Sequence, residues 1–238
     1  MIGIVNLCKR FGEQTVLDHV NLEIRPGEIF FILGGSGSGK SVLLKHMLGL
    51  LRPDSGRVLI NDQDITAMPE EQLLRVRAGA GYLFQDGALY DFMNVFDNVA
   101  FPLREHTRLP GAQIRERVRE VLVSLDLKGV ENKMPAELSG GMKKRVGLGR
   151  AIILGAKILF CDEPTSGLVP IRSRDISDLI RQVARRLNCT TVVTSHDMRN
   201  AFRIADRLAL LQDGRIAALG TRPEWEHSAN PAVQAFLQ

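Results

Sequence analysis

Three short stretches of the chain consist mostly of apolar or β-branched residues, which is the pattern of a β-strand covered on both faces. They span residues 28–33, 158–161 and 190–194. Such strands occur in parallel sheets whose two faces pack against helices. Helix-like segments alternate with these strands along the chain. The pattern therefore predicts an α/β fold with a largely parallel sheet and right-handed crossovers.

The remaining elements are predicted from alternation or from helical spacing. Val20, Leu22 and Ile24 alternate with polar residues, which predicts a strand over residues 16–25. Apolar residues at helical spacing predict amphipathic helices over 113–127 and 171–187. The other predicted elements are a helix over 69–77, a basic helix over 143–154, and strands over 2–7, 57–61, 80–84, 207–212 and 215–219.

Residues 86–112 differ from their surroundings because aromatic residues are concentrated there among turn residues. They are Tyr90, Phe92, Phe96 and Phe101. We expect most of these rings to be buried in a subdomain core, with one or two facing a partner.

Composition narrows the class of protein. The 238 residues suit one large α/β domain or a core with an inserted subdomain, and 45% hydrophobic residues argue against disorder. The net charge of +4 does not by itself indicate nucleic-acid binding, and no stretch is long and apolar enough to cross a bilayer. Strand-like sequence directly after Met1 predicts no signal peptide. The three widely separated cysteines are expected to be core residues of a reducing compartment.

The most informative motif is Gly34–Ser41, which reads Gly-Gly-Ser-Gly-Ser-Gly-Lys-Ser between a predicted strand and a predicted helix. This is the arrangement of a phosphate-binding P-loop. Its glycines, at 34, 35, 37 and 39, let successive backbone N–H groups point at an anion, and the helix adds its positive N-terminal end. Lys40 can reach the β- and γ-phosphates, and the Ser41 hydroxyl can bind Mg²⁺. The motif therefore predicts a site for ATP and Mg²⁺.

Polar residues also follow the other buried strands, where parallel-sheet proteins bind ligands. Asp162-Glu163 ends one strand; Asp162 suits Mg²⁺, and Glu163 would polarise the attacking water. His196 follows the strand over 190–194 and can sense the γ-phosphate through a neutral imidazole N–H. Gln85 can reach Mg²⁺ or the attacking water. Taken alone, each could equally be an ordinary strand-end residue.

Together these residues resemble the ATP-binding subunits of ABC transporters over nearly the whole chain. Gly34–Ser41 resembles their Walker A motif, Ile158–Asp162 their Walker B motif, Gln85 their Q-loop and His196 their switch histidine. Leu138–Met142 reads Leu-Ser-Gly-Gly-Met, similar to the LSGGQ signature with Met in place of Gln.

The resemblance implies a P-loop NTPase fold with a RecA-like, mostly parallel sheet flanked by helices, an N-terminal antiparallel β part and an inserted α-helical subdomain. The implied division is a nucleotide-binding core over 1–88 and 157–220, a helical subdomain with the signature over 89–156, and a tail over 221–238.

The resemblance also implies roles for individual residues. Catalytic roles fall to Glu163, His196 and Gln85, and metal binding to Ser41, Gln85 and Asp162. Nucleotide binding falls to Phe11, which matches the aromatic residue that stacks on adenine, and to Gly34, Gly35, Ser36, Gly37, Ser38, Gly39, Lys40, Ser41, Val42, Ser139, Gly140 and Gly141.

Two copies are implied to meet head to tail as a homodimer, with ATP between the P-loop of one and Ser139–Gly141 of the other. ATP would close this dimer and hydrolysis would open it, moving an integral membrane permease. The chain would then be an Mg²⁺-dependent ATPase bound peripherally at the cytoplasmic face of the inner membrane.

Local sequence is similar to the MlaF branch of this family, which energises MCE-type phospholipid transport. Gly35, Val42 and the segments over 84–90 and 98–106 carry this similarity. It implies an MCE lipid-binding protein and a STAS-like subunit as further partners. Amino-acid import, lipoprotein release and a weakly hydrolysing nucleotide-gated assembly protein remain alternatives, and a nucleic-acid partner is not expected. The tail either packs on its own domain or reaches the second copy.

One departure from the family concerns Val169, which stands where the family usually has Asp in a loop that crosses the dimer interface. Valine lacks the carboxylate and its hydrogen bonds. Our hypothesis is that ATP binding survives while hydrolysis, or the coupling of the two sites, is weakened. The alternative is that backbone contacts supply most of this loop's role.

Turnover of the native chain should therefore be lower than that of a Val169→Asp variant. Phosphate release by the two proteins, measured side by side, tests this. Equal rates would contradict the hypothesis and favour the backbone alternative.

Overall fold

The computed structural model describes residues 1–237, which form two sheets and nine α-helices. A four-stranded antiparallel sheet has the order β2-β1-β4-β5, and a six-stranded sheet has the order β10-β9-β3-β8-β7-β6. The strands are β1 (Ile2–Phe11), β2 (Gln14–Ile24), β3 (Ile29–Leu33), β4 (Ser55–Ile60), β5 (Gln63–Asp64), β6 (Ala80–Leu83), β7 (Ile158–Asp162), β8 (Thr190–Ser195), β9 (Arg207–Gln212) and β10 (Arg215–Gly220).

Seven helices and one 3₁₀ turn (Pro135–Glu137) lie between these strands, and two further helices follow β10. The helices are α1 (Lys40–Met47), α2 (Glu70–Ala78), α3 (Val95–His106), α4 (Gly111–Ser124), α5 (Gly140–Ile152), α6 (Pro170–Leu187), α7 (Met198–Ile204), α8 (Arg222–Glu226) and α9 (Pro231–Leu237). None of the helices among residues 1–237 has the length and apolar character needed to span a membrane.

The large sheet is parallel except at its β10 edge, as the three apolar runs predict. Its centre is β3, which pairs in parallel with β8 and β9, while β7 pairs in parallel with β6 and β8. All five residues of β3 are buried because both sheet faces are covered. One face packs against α4, α5 and α6, and the other against α1 and the antiparallel sheet. An α/β fold with an antiparallel N-terminal part is thus confirmed.

Three predicted elements differ from the structure by three residues or more at one end. β1 runs on to Phe11, beyond the predicted end at residue 7, because its edges pair with both β2 and β4 through bulges. α4 spans 111–124 where 113–127 is predicted, and Leu125 already departs from helical geometry. α5 begins at Gly140, three residues before the predicted basic helix, because the Ser139 side chain caps it by accepting from the Met142 N–H.

The expectation that most aromatic rings of residues 86–112 are buried is wrong. Phe92 is 77% exposed and Tyr90 is 37% exposed, while Phe96 and Phe101 are half-buried. This segment contains α3, a helix that the sequence reading does not predict. Asn94 caps its start, and Pro102 lies inside it. The core of this helix is aliphatic, formed by Val95, Val99 and Leu103, so the rings lie outside it.

The tail packs on its own domain over its described part. Trp225 and Val233 are buried in the same core as α4 and α5, and the Asn230 amide donates to the Ala217 carbonyl at 2.9 Å. Gln238, the last residue of the predicted tail, lies outside the described residues. Of the cysteines, Cys161 and Cys189 are core residues as predicted, whereas Cys8 is half-buried.

Candidate nucleotide-binding site

The residues that follow β3, β6, β7 and β8 border one cleft of about 630 Å³, a volume typical of small-molecule sites. Most of the predicted site residues line it. The lining consists of Phe11, Val16, Ser36, Gly37, Ser38, Gly39, Lys40, Ser41, Val42, Gln85, Glu163, Ser166 and His196. Val16 and Ser166 are additions that the sequence reading misses, since neither belongs to a recognisable motif.

The loop between β3 and α1 is shaped by close backbone packing at two of its glycines. Gly39 has φ +100°, and a Cβ there would lie 2.9 Å from the Val16 carbonyl. At Gly34 a Cβ would lie 2.4 Å from the Leu211 carbonyl. Gly35 differs, because its φ lies outside the left-handed region and nothing is within 4 Å of an added Cβ. The backbone conformation of Gly35 therefore does not require glycine, in contrast to that of Gly39.

The start of α1 faces this cleft with unpaired backbone donors. The helix begins at Lys40, and Leu43 makes the bond back to the Gly39 carbonyl at 2.9 Å. The backbone N–H groups before Leu43, in the first turn of α1, lack intrahelical acceptors. They form the positive end of the helix dipole. The loop and α1 together form an anion-binding site.

Lys40 is buried, and its ammonium is held at the mouth of the loop. It donates to the Gly34 carbonyl at 2.8 Å and to the Gly35 carbonyl at 2.9 Å. Its third partner is Oε1 of Glu163, at 3.1 Å. In this arrangement the lysine already carries an anionic partner where a phosphate oxygen would otherwise bind.

Asp162, at the end of β7, accepts hydrogen bonds on both carboxylate oxygens. Its Oδ1 accepts from the Ser41 hydroxyl at 2.9 Å and from the Thr194 hydroxyl at 2.7 Å. Its Oδ2 accepts from the Tyr82 hydroxyl at 3.0 Å. Burial, and then the charge of Asp162, raise the pKa of Tyr82, so this phenol remains a donor. Ser41 and Asp162 thus present two adjacent hard oxygen donors, which fit Mg²⁺.

The sequence reading misses Tyr82 and Thr194, because their role depends on strand register. Thr194 pairs directly with Asp162 across β8 and β7, and β6 lies on the other side of β7. The order of the strands in the sheet, which no local motif states, places both hydroxyls beside the carboxylate.

Glu163 lies in a strained backbone conformation, with φ +46°. The Thr194 carbonyl and hydroxyl both accept from its N–H, at 3.2 and 3.0 Å. Its Oε2 lies 2.9 Å from Nδ1 of His196, while Oε1 contacts Lys40. Non-glycine residues with positive φ are uncommon and cluster at functional sites. The carboxylate is therefore held between two basic side chains at the floor of the cleft.

Gln85 and Phe11 lie at the rim of the cleft and are exposed. The Gln85 amide donates to the Ser166 hydroxyl at 3.3 Å, and neither Ser41 nor Asp162 is its partner in this arrangement. Phe11 is 48% exposed at the end of β1, so one face of the ring is free to stack on a planar group.

The predicted signature residues lie outside this cleft. Ser139 and Gly140 are exposed at the start of α5, and Gly141 is half-buried. None of the three lines the cleft of its own chain. Their backbone N–H groups form a second helix start that is open to solvent.

Val169 also begins a helix, at the N-cap of α6, and its side chain is 64% exposed. It supplies no side-chain cap, whereas aspartate at an N-cap is stabilising by about 1 kcal/mol. A Val169→Asp variant therefore also stabilises α6, and its unfolding midpoint should be recorded beside its turnover.

The parallel sheet, the loop before α1 and the carboxylates after β7 together define a P-loop nucleotide-binding protein. The family can be stated as well, because the family model described as "ABC transporter" matches residues 17–166. The chain belongs to this family as an ATP-binding subunit.

Two groups of relatives carry different names. The Haemophilus influenzae intermembrane phospholipid transport system ATP-binding protein MlaF is 40% identical over 100% of this chain and 90% of its own length. The Mycobacterium leprae probable ribonucleotide transport ATP-binding protein mkl is 42% identical over 99% of this chain. The chain spans about two thirds of that relative's length, 68%.

Solved structures agree with the fold. The chain superposes with a TM-score of 0.85 on a dimeric post-hydrolysis ATP-binding cassette, MJ0796, bound to ADP and phosphate. Identity to it is 31%, with 93% of this chain and 98% of that chain covered. The cbiO1 subunit of a Clostridium perfringens ABC transporter complex gives a TM-score of 0.87 at 28% identity, covering 100% of this chain and 94% of that one.

The loop geometry predicts that Gly39→Ala weakens ATP binding by about tenfold or more, because the methyl group meets both a strained φ and the Val16 carbonyl. Gly35→Ala should bind ATP as the native chain does. Titration with a fluorescent ATP analogue measures both.

Gly129→Ala is the control for strain alone, since Gly129 has φ +80° in open space away from the cleft. It should lower the unfolding midpoint without changing ATP affinity. Equal affinities of the Gly35 and Gly39 variants would contradict this account of the loop.

Proposed function

We propose that the chain is an Mg²⁺-dependent ATPase that works as a closing dimer and drives a membrane permease. The observation that carries the proposal is the grouping of Lys40, Glu163 and His196 beside the Ser41–Asp162 oxygen pair. These groups match what phosphoryl transfer to water requires, which is a held anion, a metal ligand set and a residue that orients water.

Phosphate binding begins at the loop. The first-turn N–H groups of α1 donate hydrogen bonds to the phosphate. Lys40 exchanges Glu163 for a phosphate oxygen while keeping its two carbonyl partners. Ser41 and Asp162 would hold Mg²⁺, which supplies positive charge against the phosphate oxygens.

The exchange releases Glu163 for chemistry. Freed from Lys40, its carboxylate orients the attacking water and accepts its proton. His196 holds Glu163 in the observed arrangement through Nδ1, and once Glu163 turns to the water a neutral imidazole can present its single N–H to the γ-phosphate instead. Gln85 takes part in hydrolysis when its amide breaks its hydrogen bond to Ser166 and turns toward the metal ligands or the attacking water.

The homodimer completes the site. Ser139 and Gly140 are exposed and lie outside their own cleft, which suits contact with the γ-phosphate held by the second copy. The dimeric cassette among the solved relatives supports this arrangement.

The permease is proposed to dock at a second cleft, of about 540 Å³, beside the exposed aromatic segment. Leu74, Phe84, Tyr90 and Phe101 line it, and the 77% exposed Phe92 lies next to Tyr90. An apolar groove with aromatic anchors suits an amphipathic helix. A photo-crosslinker at position 92 tests the docking; labelling of an integral membrane protein supports it, and labelling confined to a second copy counts against it.

Phospholipid is the proposed cargo, because this chain covers 90% of the MlaF relative's own length but only 68% of the mkl relative's. This assignment brings a periplasmic MCE lipid-binding protein and a cytoplasmic STAS-like subunit as partners, with the chain itself at the cytoplasmic face of the inner membrane. Identifying the compounds that co-purify with the assembled transporter tests it. Phospholipid supports it, whereas a ribonucleotide other than the ATP or ADP of the ATPase site supports the function in the mycobacterial relative's name.

A second candidate, a nucleotide-gated assembly protein with little turnover, is favoured by Val169. This residue exposes an apolar side chain where the family usually has a carboxylate. Dimerisation on ATP without appreciable phosphate release would support this candidate.

The purified chain should release phosphate from ATP only with Mg²⁺, and Glu163→Gln should lower the rate by about a hundredfold or more, because the base is lost. A colorimetric phosphate assay measures this. ATP binding by the variant, checked by titration, serves as the folding control.

Mg²⁺-independent release, or full activity of the Glu163→Gln variant, would contradict the ATPase proposal. Tight ATP binding with no release above the variant would instead favour the second candidate.

A further inference from the structure

Lys144 is a buried cation that the nucleotide-binding mechanism does not use. It is 5% exposed, and its ammonium donates to the Gln85 carbonyl at 2.7 Å. Burial lowers the pKa of Lys144, partly offset by the charges of Asp86 and Glu163. A buried ammonium is costly unless it is well paired. The basic helix that the sequence predicts over 143–154 thus carries at least one cation that is not solvated.

Arg150, farther along the same helix, holds the same loop at a second point. Its guanidinium donates to the Gly87 carbonyl at 2.9 Å and lies 5.3 Å from the Tyr90 ring. Lys144 and Arg150 therefore bind the backbone of the segment Gln85–Gly87 at both of its ends.

Between these two cations, glycines bring the backbones of α5 and the loop close together. A Cβ at Gly147 would lie 3.0 Å from the Gly87 carbonyl, and one at Gly87 would lie 2.9 Å from the Lys143 carbonyl. Residues 144, 147 and 150 recur every three positions, so they share one face of the helix. This face of α5 therefore holds the loop by two hydrogen bonds and by close backbone contact.

The loop Gln85–Tyr90, whose first part is held in this way, joins the two clefts. At its start the Gln85 amide reaches into the nucleotide cleft, and at its end Tyr90 lines the cleft proposed for the permease. The helix that holds the loop begins with Ser139, one of the predicted signature residues.

We propose that Lys144 is a positioning residue for Gln85, tying the start of the signature helix to the loop that carries this amide. The inference rests on the proposed function, in which Gln85 takes part in hydrolysis. Lys144 acts on the reaction only through the backbone of Gln85.

Lys144→Met should lower kcat by about tenfold and leave KM within about twofold, since the ATP contacts are untouched. Lys144→Arg should restore most of the rate, because a guanidinium can still donate to the carbonyl. Lys143→Met, the same loss of charge one residue away, should change neither constant. Lys144→Gln, which keeps a hydrogen-bond donor, is the second variant if the Lys144→Met protein does not fold.

A double-mutant cycle with Gln85→Ala tests whether Lys144 affects the rate through Gln85. If Lys144 acts through Gln85, the double variant loses no more rate than Gln85→Ala alone. Additive losses, or equal effects of the Lys143 and Lys144 substitutions, would overturn the proposal.

Amide hydrogen exchange separates this proposal from the ATPase proposal. Lys144→Met should raise exchange over residues 84–88, and Lys143→Met should not. If the native chain released no phosphate, the ATPase proposal would fail while exchange still decided the role of Lys144. Unchanged exchange in both variants would overturn that role.

Discussion

The organisation of the site depends on one buried charge. Glu163 lies at the end of a central strand with its side chain 12% exposed, and a carboxylate in that position needs compensation. Lys40 supplies it from the P-loop and His196 from the loop after β8, at 3.1 and 2.9 Å. The three groups come from separate parts of the sequence, so their pairing ties β3, β7 and β8 together at their carboxyl ends. In the proposed mechanism, an incoming phosphate competes with Glu163 for the same lysine.

Backbone contacts give this charge cluster a fixed frame. The Leu211 carbonyl of β9 approaches Gly34, and the Val16 carbonyl of β2 approaches Gly39. The phosphate loop is therefore held by the edge of the parallel sheet and by the antiparallel sheet together. Asp162 is fixed as firmly, by hydroxyls from α1, β6 and β8. Such a frame holds its donors ready before substrate arrives, which is the condition for electrostatic catalysis.

Sequence reading recovers the parts of the molecule that local patterns determine. The β3 and β7 strands were predictable because burial on both faces leaves an uninterrupted apolar run, and the P-loop because its backbone requires particular residues. The roles of Tyr82, Thr194 and Ser166 cannot be predicted from local sequence, because they depend on strand order and loop packing. α3 was missed because Pro102 and its flanking aromatic residues mask an aliphatic helical core. The burial of Lys144 could not be predicted from its basic neighbours in sequence, because its partner, the Gln85 carbonyl, is 59 residues away.

The most direct test of this account is the affinity for ATP without Mg²⁺, when hydrolysis is stopped, in the native chain and in Glu163→Gln. If Glu163 competes with phosphate for Lys40, the variant should bind ATP about threefold more tightly or better. Glu105→Gln, which removes an exposed charge on α3, should bind as the native chain does. An unchanged or weaker affinity of Glu163→Gln would contradict the competition on which the account rests.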